Sequence, residues 1–326
     1  MATKPPVEVP QGAIRLNTDS QKLEVFAQDQ WGEMMTGHDP SRGRGIIGGG
    51  SVPGNTNVID YISIASAANA VDFGDLTVAG QHCACASRTR GVFAMGSNVN
   101  TIDYVTIASL GNAQDFGDRT IAKNGPGALS NNIRGVFMGG GSPQPQVATM
   151  DYVQIASKGN AIFFGDMSTG NKNTSGCASP TRGIIGIGGD PVNNKIEYIE
   201  IATQGNSVDF GDLLNSTEGE ECFSSPVRGI LAGGYVSPAD TNVMAYITIA
   251  TAGNAIDFGD LTAARQEGGG FSNSVRGGVG GGGVPSPSDV IDYVTIMSTG
   301  NATDFGNLSS SKAYVAGCAD GHGGLG

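Results

Sequence analysis

The fold is decided by Arg90–Asp118, RGVFAMGSNVNTIDYVTIASLGNAQDFGD. It opens with Arg-Gly and an apolar run, Gly91 to Met95, that ends at a glycine. Ile102-Asp103-Tyr104-Val105-Thr106-Ile107 follows, β-branched and aromatic, and reads as a strand. Leu110-Gly111-Asn112-Ala113 is a turn, since Gly and Asn tolerate the left-handed backbone of a tight hairpin. Gln114-Asp115-Phe116-Gly117-Asp118 is the next strand. A fourth strand precedes each following Arg-Gly, as in Gly176-Cys177-Ala178-Ser179.

The pattern recurs along the chain. Arg-Gly stands at Arg44, Arg90, Arg134, Arg182, Arg228 and Arg276, with spacings of 46, 44, 48, 46 and 48 residues. Tyrosine recurs at Tyr61, Tyr104, Tyr152, Tyr198, Tyr246 and Tyr293, and Phe-Gly at Phe73, Phe116, Phe164, Phe210, Phe258 and Phe305. No ten-residue stretch keeps a 3.6-residue apolar period, so the repeat is all-β. Six units of four short strands predict a six-bladed β-propeller over residues 41–326. Tyr314–Asp320 matches the strand before each Arg-Gly but has none after it, whereas the first unit, at Arg44, lacks one before it. The last strand is therefore expected to complete the first blade and remove the open sheet edges.

Charge and composition exclude several classes. The chain carries 53 glycines, 15% charged residues and a net charge of −12. No polybasic cluster offers a footprint for nucleic acid or an anionic membrane, and no apolar stretch is long enough to span a bilayer. The start lacks the apolar core of a secretory signal, and five cysteines fit a reducing compartment better than a disulfide framework. Half the acidity is repetition: acids recur before Tyr (Asp60, Asp103, Asp151, Glu197, Asp292) and on both sides of Phe-Gly, fifteen of the 30 carboxylates. The recurring arginines are expected to form ion pairs with these aspartates.

The paired glycines after an apolar strand (Gly139-Gly140, Gly188-Gly189, Gly233-Gly234), the later tyrosine and the later aromatic resemble the kelch motif. Kelch repeats place a tryptophan about half a dozen residues after the tyrosine; here a phenylalanine stands twelve after it. The resemblance implies that the strand before Arg-Gly is innermost and the Phe-Gly strand outermost. A second resemblance lies in residues 1–40. Gly12-Ala13-Ile14-Arg15-Leu16-Asn17-Thr18-Asp19, then Leu23-Glu24-Val25-Phe26 and Trp31, is similar to a segment of bacteriophage tail-fibre and other virion proteins, although the usual glycine before the tryptophan is missing. With the Asp-Tyr and Asp-Phe-Gly-Asp repeats, it resembles structural proteins of tailed phages, especially marine and cyanobacterial ones. Residues 1–40 then form a β-hairpin arm, with Arg15, Phe26 and Trp31 for attachment to other virion proteins.

That resemblance implies a virion protein assembled in the host cytoplasm, a tail-fibre or adhesin component. A head or tail decoration protein and a cellular kelch-like interaction scaffold stay open as alternatives. The expected partner is a host-surface glycan or protein, with self-association left open; nucleic acid and membrane insertion are not expected. Repetition accounts for the Asp-Phe-Gly copies, and neither the glycine runs nor Cys83-Ala84-Cys85 complete a phosphate or zinc motif. No catalytic residue, metal or cofactor is expected.

Recognition is expected where the repeat is irregular. Strands alternate in direction, so the loops between second and third strands and the links between blades share one face. On it the candidate binding residues are Ser142, Pro143, Gln144, Asp190, Asn193, Tyr235, Asp240, Pro285 and Ser286.

Overall fold

In the computed structural model the described residues are 13–17, 22–27, 30–33, 43–51, 53–141, 144–189, 192–283 and 286–325. They fall into two compact units, Met1–Asp39 and Pro40–Gly326.

The larger unit is a six-bladed β-propeller. Each blade is a four-stranded antiparallel sheet, and in blades 2 to 6 its strands follow chain order from the axis outward. Blade 2 is typical: His82–Ala86 is innermost, followed outward by Arg90–Met95, Thr101–Thr106 and Gln114–Asp118. The inner strands contact one another in a closed ring around the axis. Ring closure follows the expected route. Ala316–Ala319 pairs with Arg44–Gly48, Ala316 opposite Gly48 and Ala319 opposite Gly45, and so becomes the inner strand of blade 1.

The core is divided among the six gaps between blades. Ile46, Ile59, Phe73 and Leu76 of blade 1, for example, pack with Phe93, Val105 and Ile107 of blade 2, and each other gap holds a similar cluster. Both faces of a blade are thus buried. This is why the second strand reads as a continuous apolar run rather than an alternation.

Each outer strand carries a β-bulge at its phenylalanine. In blade 2 the pairing runs Asp115 to Asp103 and then Gly117 to Ile102, skipping Phe116. The extra residue turns the ring into the gap, where it meets the tyrosine of its own blade edge to face at 5.6–6.2 Å. The following glycine is required by close approach. A Cβ on Gly117 would lie 2.5 Å from the Gly159 carbonyl oxygen of the next blade, at a φ of +151°.

The arginines do not do what was expected of them. Their guanidinium groups stack over the tyrosine of the same blade at 4.2–4.9 Å. Each also donates to a backbone carbonyl at the end of the third strand of the next blade, as from Arg134 to Ile201 at 2.9 Å and Ala202 at 2.8 Å. Of the six, only Arg182 has a described salt bridge, to Glu200, which is not one of the recurring acids. The buried acids before Tyr take other partners. Asp103 accepts from the Thr77 amide and hydroxyl, and Asp151 from those of Thr120. Asp60, Asp151 and Asp292 pair with Lys312, Arg119 and Arg265.

The smaller unit corrects the expected hairpin. Ile14–Asn17, Lys22–Ala27 and Gln30–Glu33 form a three-stranded antiparallel meander. Register places Arg15, Phe26 and Trp31 on one face. Arg15 stacks over Trp31 at 4.2 Å, and Phe26 meets Trp31 edge to face at 5.4 Å.

Candidate functional site

The two faces of the disc differ. On one, the turns between third and fourth strands are nearly identical and locked to the preceding blade. The Asn112 side chain accepts from the Asp75 amide at 3.1 Å, the Gly111 amide donates to the Phe73 carbonyl at 2.9 Å, and the other gaps repeat the asparagine bond. On this side the channel is stoppered by residues 322–325. His322 donates through Nε2 to the Ala86 carbonyl at 2.9 Å and accepts at Nδ1 from the Gly324 amide at 3.1 Å. That pattern fits the neutral ring, and burial lowers the imidazole pKa to about 4. Arg88 caps the Leu325 carbonyl at 2.9 Å.

The other face carries the unequal loops. Ser142, Pro143, Asp190 and Pro285 lie outside the described residues. Gln144 and Ser286 are exposed on the loops of blades 3 and 6. Asn193 begins the third strand of blade 4 and accepts from the Lys195 amide at 2.9 Å. Tyr235 and Asp240 are directly paired in a small projecting hairpin, Tyr235–Val236 with Ala239–Asp240. The Tyr235 amide donates to the Glu218 carbonyl at 2.7 Å, and Asp240 accepts from the Gln266 side chain at 3.1 Å. Burial pushes the Asp240 carboxyl above its usual range. The structure joins Tyr235 with Asp240, while Gln144, Asn193 and Ser286 stand on separate blades.

Inside this ring of loops is a feature the sequence reading missed. The six blade links meet around the axis and line a cavity of about 80 Å³, its wall including Asn173, Glu220, Glu221, Glu267 and Tyr314. Equivalent positions in five of the links adopt a left-handed backbone: Gly125 (φ 65°), Asn173 (52°), Gly219 (66°), Glu267 (60°) and Tyr314 (58°). The amides of Asn173, Glu267 and Tyr314 donate to the carbonyls of Gly125, Gly219 and Glu267 at 2.7, 3.0 and 2.8 Å. Two links meet this geometry with glycine, whereas Glu267 and Tyr314 hold it at a cost of roughly 1–2 kcal/mol each.

The electrostatics of this well are unusual. Burial first, then repulsion from Glu218 and Glu220, lifts the Glu267 carboxyl to about 8. Burial lifts Glu220 to about 7, and it lifts Glu221 well above the ordinary value with help from Glu267 and Glu220. The Tyr314 hydroxyl rises to about 12, by burial and by Glu267 and Glu218. Lys172 stands 3.7 Å from Glu218, which also accepts from Asn173 at 3.0 Å. One oxygen of Glu220 and one of Glu267 are buried with no hydrogen-bond partner. In sequence this cluster is visible only as Glu218-Gly219-Glu220-Glu221, an acidic run off the repeat positions.

The cysteines give no reactive centre. All five are buried free thiols, and burial holds Cys83 and Cys318 at about 12. Cys177 and Cys222, on neighbouring inner strands, bring their sulfurs to 2.7 Å, a contact the repeat spacing did not suggest. Among the described residues no three His, Cys, Asp or Glu side chains are grouped to hold a metal ion, and no helix is long and apolar enough to cross a membrane. No protein-family model and no curated protein matches the chain; what the structure shows is a six-bladed β-propeller.

Proposed function

We propose that this chain is a structural protein of a tailed-phage virion, a tail-fibre or adhesin component that presents its irregular loop face to a host-surface glycan or protein. The reading is non-catalytic. Residues 1–40 attach the chain to other virion proteins, and assembly takes place in the host cytoplasm.

The observation that supports it best is the contrast between the faces. One is built of near-identical turns bonded to the neighbouring blade, and its channel mouth is stoppered. The other carries loops of unequal length around an open, polar axial well. Recognition residues commonly ride on variable loops held by a rigid scaffold. The tail-fibre-like segment supports the attachment role, and in the structure its Arg15, Phe26 and Trp31 form one aromatic and cationic patch.

The test begins with mass spectrometry of purified virions, which should contain the chain. Particles whose 142–148 and 235–242 loops are replaced by Gly-Ser sequences should then adsorb to host cells at a reduced rate. Absence from virions, or adsorption at the unaltered rate, would overturn the proposal.

A further inference from the structure

None of the five cysteines is an activated nucleophile, but two of them are placed to join. All five are buried free thiols on the inner strands of blades 1, 2, 4 and 5. Successive side chains on a strand point to opposite faces, so register decides which gap each cysteine enters. Cys85, Cys177 and Cys318 pair with the residue two after the repeat arginine, namely Val92, Ile184 and Ile46. They point the same way around the ring. A Cβ on Gly135, Gly229 or Gly91, the glycine after the next blade's arginine, would meet the sulfur of Cys85, Cys177 or Cys318 respectively. Cys83, two residues before Cys85, enters the same gap as Cys85. Cysteines that all point one way do not face each other across a gap.

Cys222 is out of step by one residue. It pairs with Leu231, three after Arg228, at the position that Ala84, Ala128, Gly176, Gly270 and Gly317 hold in the other blades. Its side chain therefore points back into the gap between blades 4 and 5, which Cys177 enters from the other side. There the Cys222 thiol donates to the Cys177 sulfur at 2.7 Å.

We propose that Cys177 and Cys222 form an oxidation site, closing into a disulfide that joins blades 4 and 5 when the chain meets a peroxide. One thiolate attacks hydrogen peroxide, the O–O bond breaks, and a sulfenic acid and one water result. The second thiolate then attacks the sulfenic sulfur, the S–S bond forms, and hydroxide departs to become a second water. In all, the two thiols give up two electrons and two protons, and one peroxide is reduced to two waters. A small oxidant reaches the pair from the axis: Cys222 lines the well of about 80 Å³ and a second axial cavity of about 40 Å³, and Cys177 lines the second. Burial pushes the Cys222 thiol well above its ordinary value, so its thiolate is scarce at neutral pH and closure is slow. A reducing cytoplasm keeps the thiols free, and the bond closes once the chain leaves it. The inference does not depend on the virion reading.

Peptide mapping of the full chain tests it. The reduced protein is freed of reductant, treated with hydrogen peroxide, blocked at its remaining thiols and digested with trypsin. Peptides 173–182 and 196–228, which carry Cys177 and Cys222, should appear joined, two hydrogens lighter than their sum. Thiols counted in denaturant should fall from five to three. The bond links residues 45 apart in the chain. It should raise the melting temperature by roughly 3–8 °C, reversibly with dithiothreitol. Cys222→Ala places an alanine where blades 2 and 3 already have one, and should lose both the link and the rise. Cys85→Ala should keep both. Five thiols retained, sulfinic acid at either cysteine in place of the link, links to Cys83, Cys85 or Cys318 formed as often, or an equal rise in Cys222→Ala would overturn the proposal. The map of the unaltered protein decides the matter even where a variant does not fold.

Discussion

At the scale of single residues, the repeat couples its choices across the gap between blades. A hydroxyl residue two positions after the Asp or Asn that ends each Phe-Gly motif faces the acid before the next blade's tyrosine. The pairs are Thr77 with Asp103, Thr120 with Asp151, Ser168 with Glu197, Thr262 with Asp292 and Ser309 with Asp60. Between blades 4 and 5 the corresponding residues are Leu214 and Ala245, so both halves of the bond are replaced together. An unpaired buried acid costs more than an apolar pair of the same shape, which explains the joint loss. Asp103→Ala alone should destabilise the protein by about 1–3 kcal/mol. Combined with Thr77→Leu it should cost less than the sum of the single changes, a coupling that urea denaturation of the double-mutant cycle would measure.

The arginines are read at the same scale. Their partners are backbone carbonyls, which leave no mark on the side-chain sequence, so the repeating aspartates looked like the natural acceptors. The corrected partners lower the expected stakes. Arg134→Ala removes two bonds to carbonyls and a stack over Tyr152. It should lower stability by about 1–3 kcal/mol, rather than the roughly 3–5 kcal/mol of a broken buried ion pair. Arg134→Lys should fall between, and thermal melting of the three proteins would order them.

At the scale of elements, the outer strand and the turn that covers it form one device. Gly117 and Gly159 have the same positive φ of +151°, but a Cβ on Gly159 meets nothing within 4 Å. Alanine at Gly159 therefore suffers backbone strain alone. Alanine at Gly117 also collides with the backbone of the next blade, and should cost about 1–3 kcal/mol more in denaturation midpoints converted to free energy. Such elements were legible: markers every 44 to 48 residues revealed the strands, their order and the closing strand. The short strand Gln30–Glu33 was not, since four residues around one tryptophan carry no alternation to read. The axial well was hidden for a different reason. Its residues keep the repeat spacing, but the residue type changes from link to link (Gly125, Asn173, Gly219, Glu267, Tyr314), so no recurring letter marks them, and half the chain's acids, at other repeat positions, masked the few that line it.

For the whole molecule, the pH response sums two opposed groups. Glu220 and Glu267 have folded pKa values of about 7 and 8, above the ordinary 4.5. Their contribution is fully present below pH 4.5 and is lost as pH rises through those values. His82 and His322 sit at about 4, below the ordinary 6.5, so theirs is present above pH 6.5 and lost as pH falls through 4. The two contributions offset each other between about pH 4.5 and 6.5, and only the carboxyls still titrate above that, so melting temperature should decline as pH rises from about 6.5 to 8. In the Glu220→Gln, Glu267→Gln double variant the alkaline decline should flatten; a slope unchanged from the unaltered protein would contradict the assignment.

The strand that closes blade 1 also imposes a timetable. Each of blades 2 to 6 draws its four strands from one continuous stretch of chain, so it can assemble as it emerges from the ribosome. Arg44–Gly48 must wait for Ala316–Ala319. At about 5–20 residues per second, the roughly 270 intervening residues take on the order of 15–50 s to synthesise. Throughout that interval the first blade made is the last completed, with the inner edge of its second strand open to whatever chain is nearby.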